Sequence, residues 1–560
     1  MTQEHQGFPA ISGRSIWHQW LNAVAFLGLT LIPLTARAQY HRSVEHGGRS
    51  ESTTVKCFDL VDLQFDTESV ILKPLNVSLS VKFEHDSGFS KEIPGFFNGD
   101  KTFVVRFCPD LPGQWHYQTN SDSPALDNLS GTLSVSEAEQ GRKAPIVIGR
   151  DDPTHFYHAD GKRYYPIAFE CDWLFALDAD NANGIPKTQT LVDTLADNGF
   201  NQVVMNVYAH DVTWDKDPNL DAQFDYGNPA SFPFGGTNDV PEHSTLNFEF
   251  FQRLDRVLDY LDQKGIVAHL MIYVWNKQVN WPDADSLADN QYFDYVVKRY
   301  QAYPNLIWDV SKEALGYGHD DVHYITRRIH RLRELDAYDR LVTVHAYNYC
   351  QQFPGEIDFV SVQTWVSELC RAMQEIVHEF PNKPILNIEH GGYERGPYTV
   401  FNGNYTSAET CLERAYRCVF AGTYPTHYWQ GAAWNVMIPD IRQLPVEQRP
   451  KLHYYRILRE FVDKYEVEKL IAGEKKSNAG FSLHNSEDFY IYLVPAECEF
   501  LNLRPRRDRG NTLQLTWFNP RTGKYGEQFS IPMTEWPFVD VPQSDGFQIL
   551  FCKLEGDNAQ

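Results

Sequence analysis

Two glutamates stand where short apolar runs stop. Asn305-Leu306-Ile307-Trp308-Asp309-Val310 runs into Ser311-Lys312-Glu313, and Lys383-Pro384-Ile385-Leu386-Asn387-Ile388 runs into Glu389-His390-Gly391-Gly392. A protonated carboxyl and an ionised one on either side of a single bond are what glycosidic cleavage needs. One gives its proton to the leaving oxygen, and the other attacks or activates water. Either glutamate alone is an ordinary loop residue, so the reading rests on the pair, with Glu394 as the rival to Glu389 for the second place. His319, His323 and His390 share no H-E-x-x-H or comparable spacing with the acids, so neither a catalytic metal nor another cofactor is expected.

The elements that must position the pair follow from the alternation of apolar strands with amphipathic helices. From about residue 150 the runs at 164–170, 201–207, 266–274, 306–310, 341–345, 359–363, 385–388 and 427–430 read as strands. Helical spacing intervenes at 187–198, 247–264, 291–302, 322–335, 368–380, 408–422 and 451–465; in the second, Phe251, Leu254, Leu258 and Leu261 make one buried stripe. Eight β/α units over 145–466 predict a closed (β/α)₈ TIM barrel of the α/β class, whose reacting groups sit at the C-terminal strand ends. Glu313 and Glu389 then end the fourth and seventh strands, across the mouth from each other. Asp172, Trp173, Trp275, Asn276, His345, Gln363, Trp365, Trp429 and Trp434 fall at other strand ends and are expected to contact a sugar. The insertion over 214–242 is expected to overhang the mouth.

On either side the pattern is β-rich. Runs at 55–63, 77–83, 102–108, 114–119 and 131–135 predict an N-terminal β-sandwich over 52–138, and runs at 489–494, 512–518, 526–531 and 546–553 predict a C-terminal one over 470–555. The apolar stretch 21–34 ending in Ala36-Arg37-Ala38 reads as a signal peptide over 1–38, which implies a secreted or periplasmic protein with no membrane span after cleavage. The nine cysteines have no C-x-x-C spacing, and their odd number leaves at least one unpaired. Lys plus Arg total 50 against 74 for Asp plus Glu, a net charge of −24 that would repel nucleic acid. Aromatic residues reach 14%, which suits stacking on sugar faces.

The paired strand-end glutamates resemble the acid/base and nucleophile of the clan A retaining glycoside hydrolases. Tyr165-Pro166-Ile167-Ala168-Phe169-Glu170-Cys171-Asp172-Trp173 is similar to the entry strand of the apiosidase-like barrels within that group. Asn98-Gly99-Asp100-Lys101-Thr102-Phe103-Val104-Val105-Arg106-Phe107, followed by Pro109, Pro112-Gly113 and Trp115, resembles the sandwich module of unknown function that precedes them. Thr516-Trp517-Phe518-Asn519-Pro520-Arg521-Thr522-Gly523 resembles the collagen-binding-like module that follows them. The resemblance implies Glu313 as acid/base and Glu389 as nucleophile of a double displacement on a plant or algal polysaccharide or its oligosaccharides. Two positions depart from the pattern. Lys312 stands where the clan has the Asn that binds the sugar 2-hydroxyl, so it would meet an acidic sugar substituent or an inner carboxylate. The second strand lacks the usual Arg and offers Asn206, Tyr208 and His210 to the sugar instead. A non-catalytic carbohydrate-binding protein on the same barrel is the alternative.

Overall fold

The computed structural model describes residues 41–45, 55–68, 70–319, 321–401 and 403–555; the expected signal segment lies outside the described residues. Eight parallel strands form the centre: β1 (Ala168–Glu170), β2 (Gln202–Asn206), β3 (Val267–Val274), β4 (Leu306–Lys312), β5 (Val342–His345), β6 (Val360–Gln363), β7 (Ile385–Glu389) and β8 (Tyr424–Trp429). They pair in the order β5-β4-β3-β2-β1-β8-β7-β6. At the β5/β6 seam, Asp358 N–H donates to Val342 O at 2.8 Å and the Thr343 hydroxyl to Phe359 O at 2.8 Å. The result is the nearly closed TIM-like barrel that the alternation predicts.

Each strand is followed by its helix: α1 (Pro186–Asp197), α2 (Phe248–Gln263), α3 (Leu287–Tyr300), α4 (Val322–Leu335), α5 (Tyr347–Gln352), α6 (Leu369–Glu379), α7 (Ala408–Phe420) and α8 (His453–Tyr465). Asn247, Ser286, Asp321 and Ser407 cap α2, α3, α4 and α7 by accepting a first-turn backbone N–H. The short α5 is absent from the sequence reading, because six residues with only Tyr349 and Cys350 buried carry too little periodicity. β8 begins three residues earlier than expected, since its Thr426 and His427 are buried in spite of their polarity.

The N-terminal region is two facing sheets, one carrying Leu60–Asp66 and Thr102–Phe107, the other Leu79–His85, Gly113–Ser121 and Ser130–Ser136. Leu63, Phe65, Val105 and Phe107 of the first meet Val81, Phe83, Trp115 and Leu133 of the second in one core. The expected strand at 55–63 is broken at Phe58, whose φ of 67° forces a turn. After α8 the chain returns to β-structure around Thr512–Asn519 and Gln548–Glu555. A two-stranded ladder, Phe500–Asn502 with Phe538–Asp540, packs Leu501 and Val539 into that region's core. Among the described residues no helix is long and apolar enough to cross a membrane. All nine cysteines are unpaired.

Candidate active site

The end of β4 is shaped by Asp309. Its Oδ1 accepts the backbone N–H of Ser311 at 3.1 Å and of His345 at 3.0 Å, while Oδ2 faces His269 Nε2 at 3.2 Å. The β4/β5 register slips here: Asp309 pairs with Thr343 but Lys312 with His345, three steps against two. Such a bulge re-aims the side chains beyond it, and it brings Lys312 into the barrel. Glu313 follows in the left-handed region at φ 59°, ψ 21°, a conformation that costs a non-glycine residue about 1–3 kcal/mol. Its N–H donates to His345 O at 3.0 Å, and its Oε2 accepts from Asn276 Nδ2 at 2.5 Å.

Glu389 closes β7. Its Oε2 accepts from Gln363 Nε2 and from the Tyr393 hydroxyl, each at 2.7 Å, and its Oε1 faces Lys312 Nζ at 3.4 Å. Two residues on, Gly391 has φ 80°, and a Cβ there would lie 2.8 Å from Trp365 Cβ. Only glycine allows the chain to turn that close behind Trp365. Burial pushes the Glu389 carboxyl up to about 7; Lys312 opposes the shift and Glu313 adds to it. One atom each of Glu313, His345 and Glu389 lie within 4.8 Å of one another. That spacing would suit a cation, but the Lys312 ammonium already supplies positive charge beside Glu389.

These groups open onto a cavity of about 420 Å³ walled by Trp214, Trp365, Trp434, Phe401 and Tyr317. Of the residues singled out in the sequence, Asn276, Glu313, His345, Gln363, Trp365, Glu389 and Trp434 line it. Asp172, Trp173, Asn206, Lys312 and Trp429 do not reach it and are buried. Asp172 meets Lys312 at 3.3 Å, Lys277 at 3.5 Å and Asn206 at 3.3 Å in place of solvent or sugar. β1 is only three residues long, and the turn Leu174–Ala176 is buried directly after it. His210 is turned to the Tyr208 hydroxyl at 3.0 Å, and Trp275 donates to Ser311 Oγ and stacks on His319. Glu394 points away from the cavity, accepting Lys451 N–H at 2.6 Å and facing His427 at 3.2 Å.

Sequence reasoning missed Tyr393, although it sits beside Glu394 on a two-residue strand. Neighbouring strand side chains point opposite ways, so when Glu394 turns outward Tyr393 turns in to Glu389. Trp214 and Phe401 arrive from loops that no periodicity marks, and Tyr317 from the single 3-10 turn Ala314–Tyr317 after Glu313, too short to show any. The insertion that carries Trp214 docks on the loop after β8, with Tyr226 N–H donating to Asn435 O at 2.7 Å and Asn435 Nδ2 to Asp225 at 2.9 Å.

Comparison with known proteins bears directly on this geometry. Residues 151–456, more than half of the chain, match the model of the apiosidase-like catalytic domain. The chain belongs to the apiosidase-like family. Its barrel is therefore the catalytic domain of a glycoside hydrolase. Residues 54–122 of this apiosidase-like protein match a domain of unknown function, DUF5060. No curated protein matches the sequence. Among solved structures, a Bacteroides vulgatus protein provisionally described as a glycoside hydrolase is 20% identical, with a TM-score of 0.72 over 90% of this chain and 100% of its own. A glycoside hydrolase family 5 protein of the same organism is 16% identical, with a TM-score of 0.52 over 74% of this chain and 94% of its own. At these identities the two structures speak for the fold.

Proposed function

We propose that the protein is a secreted, retaining glycoside hydrolase acting on a plant or algal polysaccharide or its oligosaccharides, with Glu389 as nucleophile and Glu313 as acid/base. The observation that carries this reading is that one carboxyl oxygen of Glu313 lies within 4.8 Å of one of Glu389, with the two residues facing each other across one cavity. Retaining enzymes hold theirs about 5–5.5 Å apart, whereas inverting enzymes leave about 6.5–9.5 Å for a water. Glu389 attacks the anomeric carbon while Glu313 protonates the departing oxygen, so that the glycosidic C–O bond breaks and a glycosyl ester forms on Glu389. Glu313, now ionised, takes a proton from water. That water displaces Glu389 and leaves a product of the original anomeric configuration. The exposure difference suits these roles: Glu313 is half-buried at the mouth, where water and the leaving group pass, and Glu389 is buried among donors. The family's name makes apiose-linked glycans the first substrates to try, and the apolar stretch 21–34 with Ala36-Arg37-Ala38 supports export, with a mature chain beginning near Gln39.

The test uses an aryl glycoside, whose leaving group needs little protonation. Glu313→Ala should keep the first step, slow the second, and regain turnover with azide as a glycosyl azide of retained configuration. Glu389→Gly should lose retaining turnover and give only the inverted azide. Retained azide from Glu389→Gly would remove Glu389 from its role, and an absence of hydrolysis across a glycan panel by the wild type would favour the non-catalytic reading.

A further inference from the structure

Beneath the cavity floor lies a buried group of charges that the double displacement does not use. Lys312 Nζ touches Glu170 Oε1 at 2.5 Å, Asp172 Oδ1 at 3.3 Å and Glu389 Oε1 at 3.4 Å, and Lys277 Nζ stands 3.5 Å from Asp172 Oδ2. Glu170, Asp172, Lys277 and Lys312 are all fully buried. Three ionised carboxylates against two ammonium groups would leave one negative charge uncompensated in the interior, a strongly unfavourable state. Glu170 Oε2 has no hydrogen-bond partner among the described residues, and Asp172 Oδ2 has only the longer contact to Lys277. A proton on Glu170 would settle the charge count and supply a missing donor.

We propose that Lys312 is a positioning residue for the Glu389 nucleophile, its ammonium fixed from below by Glu170 and Asp172, and that Glu170 carries the proton that balances this floor. The inference rests on the double-displacement reading above. Lys312 takes the clan's asparagine position, but its side chain turns inward at the β4 bulge and reaches the nucleophile rather than the sugar. It aligns Oε1 by charge while Gln363 and Tyr393 fix Oε2, so both oxygens of Glu389 are held. The titratable groups facing Glu389 are Lys312 from β4, Glu170 from β1, Lys277 from beyond β3, Glu313 and Tyr317 from beyond β4, His345 from β5, Tyr393, and Tyr428 from β8, while Asp172 acts on it through Lys312 and Lys277. Burial holds Glu170 well above the usual carboxyl range although Lys312 opposes it, whereas Asp172 is held low in spite of its burial by Lys312 and Lys277. Burial keeps His345 neutral, so it adds no charge to the count.

The test is the pH dependence of kcat/KM on an aryl glycoside, whose acidic limb reports ionisation of Glu389. Lys312→Met should move that limb upward by about one unit or more, since one adjacent cation lowers a carboxyl by that amount. Lys312→Gln, which can still hydrogen-bond Glu170, should do the same and covers the case in which the methionine variant fails to fold. Glu170→Gln copies the protonated acid in shape and charge, so it should leave the limb in place. The wild type at pH 8 should show an infrared carbonyl band of a protonated carboxyl that is missing from Glu170→Gln. An unmoved limb in a folded Lys312 variant would overturn the positioning role. A limb lowered by about one unit in Glu170→Gln, or no such band, would overturn the stored proton. Failure of the nucleophile assignment itself would appear separately, in the azide product of Glu389→Gly.

Discussion

Two buried charge clusters in this protein are built on opposite rules. Where the N-terminal sandwich meets the barrel, Arg106 donates to both oxygens of Asp62 at 2.7 and 2.9 Å and reaches both oxygens of Asp255 on α2 at 3.3 and 3.1 Å. Arg299 on α3 donates to the same two Asp255 oxygens at 2.9 and 2.6 Å, and His41 lies between Asp62 at 3.0 Å and Asp259 at 2.8 Å. Three acids face three bases. At the cavity floor, by contrast, two lysines meet three carboxylates one oxygen at a time, Glu170 Oε2 is left without a partner, and the bases are one short. A guanidinium saturates two carboxylates in fixed forks, whereas an ammonium is a point charge that can sit among several carboxylates without pairing all their oxygens. The first arrangement holds two regions together, and the second holds the carboxylate of Glu389 from below.

Breaking the saturated cluster should cost the most stability and the least chemistry. Arg106→Met leaves Asp62 and Asp255 buried with one guanidinium fewer, and should lower unfolding free energy by about 3–5 kcal/mol in denaturant titrations while the folded fraction keeps its kcat. A comparable fall in kcat would mean that the two clusters are coupled.

The floor should behave the other way. Because the folded Glu389 carboxyl titrates near 7 rather than 4.5, its ionisation costs stability as pH rises from the unfolded value through the folded one. Glu389→Gln should therefore match the wild type in melting temperature at pH 4, exceed it increasingly between about 4.5 and 7, and hold a constant excess above that, worth at most about 3–4 kcal/mol. Activity should be lost at every pH. A gap that shrank with rising pH would reverse the assignment of Glu389 as the costly group.

The cavity wall gives a smaller effect. Gly391→Ala puts a Cβ 2.8 Å from Trp365 Cβ on a left-handed backbone, so Trp365 must move off the wall. A displacement of that kind costs on the order of 10²-fold in kcat/KM. An unchanged kcat/KM would show that the wall tolerates the shift and that Trp365 does not position the sugar.

These contrasts also mark where the sequence was legible. Glu313 and Glu389 could be placed because a short apolar run and a polar break locate a strand end whatever the loops do. Lys312 could not be aimed. Its inward turn depends on one extra β4 residue against β5, and that slip is set by Asp309 bonding to Ser311 and His345, a tertiary contact with no trace in local spacing. Asp172 and Trp429 were expected at the mouth for the same reason in reverse: a strand end is exposed only if nothing folds over it, and here the chain does. The C-terminal strands at 471–477 and 480–484 escaped because Glu474 and Lys475 are exposed while the buried positions include the polar Ser477, Ser482 and His484, which blurs the alternation. Tyr393 is the instructive omission, since its neighbour Glu394 drew attention to the right segment and the wrong face.

The central claim, that Glu389 becomes covalently glycosylated while Glu313 serves the proton transfers, is tested most directly by trapping. A 2-deoxy-2-fluoro aryl glycoside with a good leaving group should slow both steps and let the ester accumulate, and peptide mapping by mass spectrometry then locates the sugar. The account predicts one glycosyl unit per chain, attached at Glu389 in the peptide that carries His390-Gly391-Gly392, with Glu313→Ala labelled at the same residue. A label on Glu313, Glu394 or Glu170, or turnover of the normal substrate with inversion and no label at all, would contradict it.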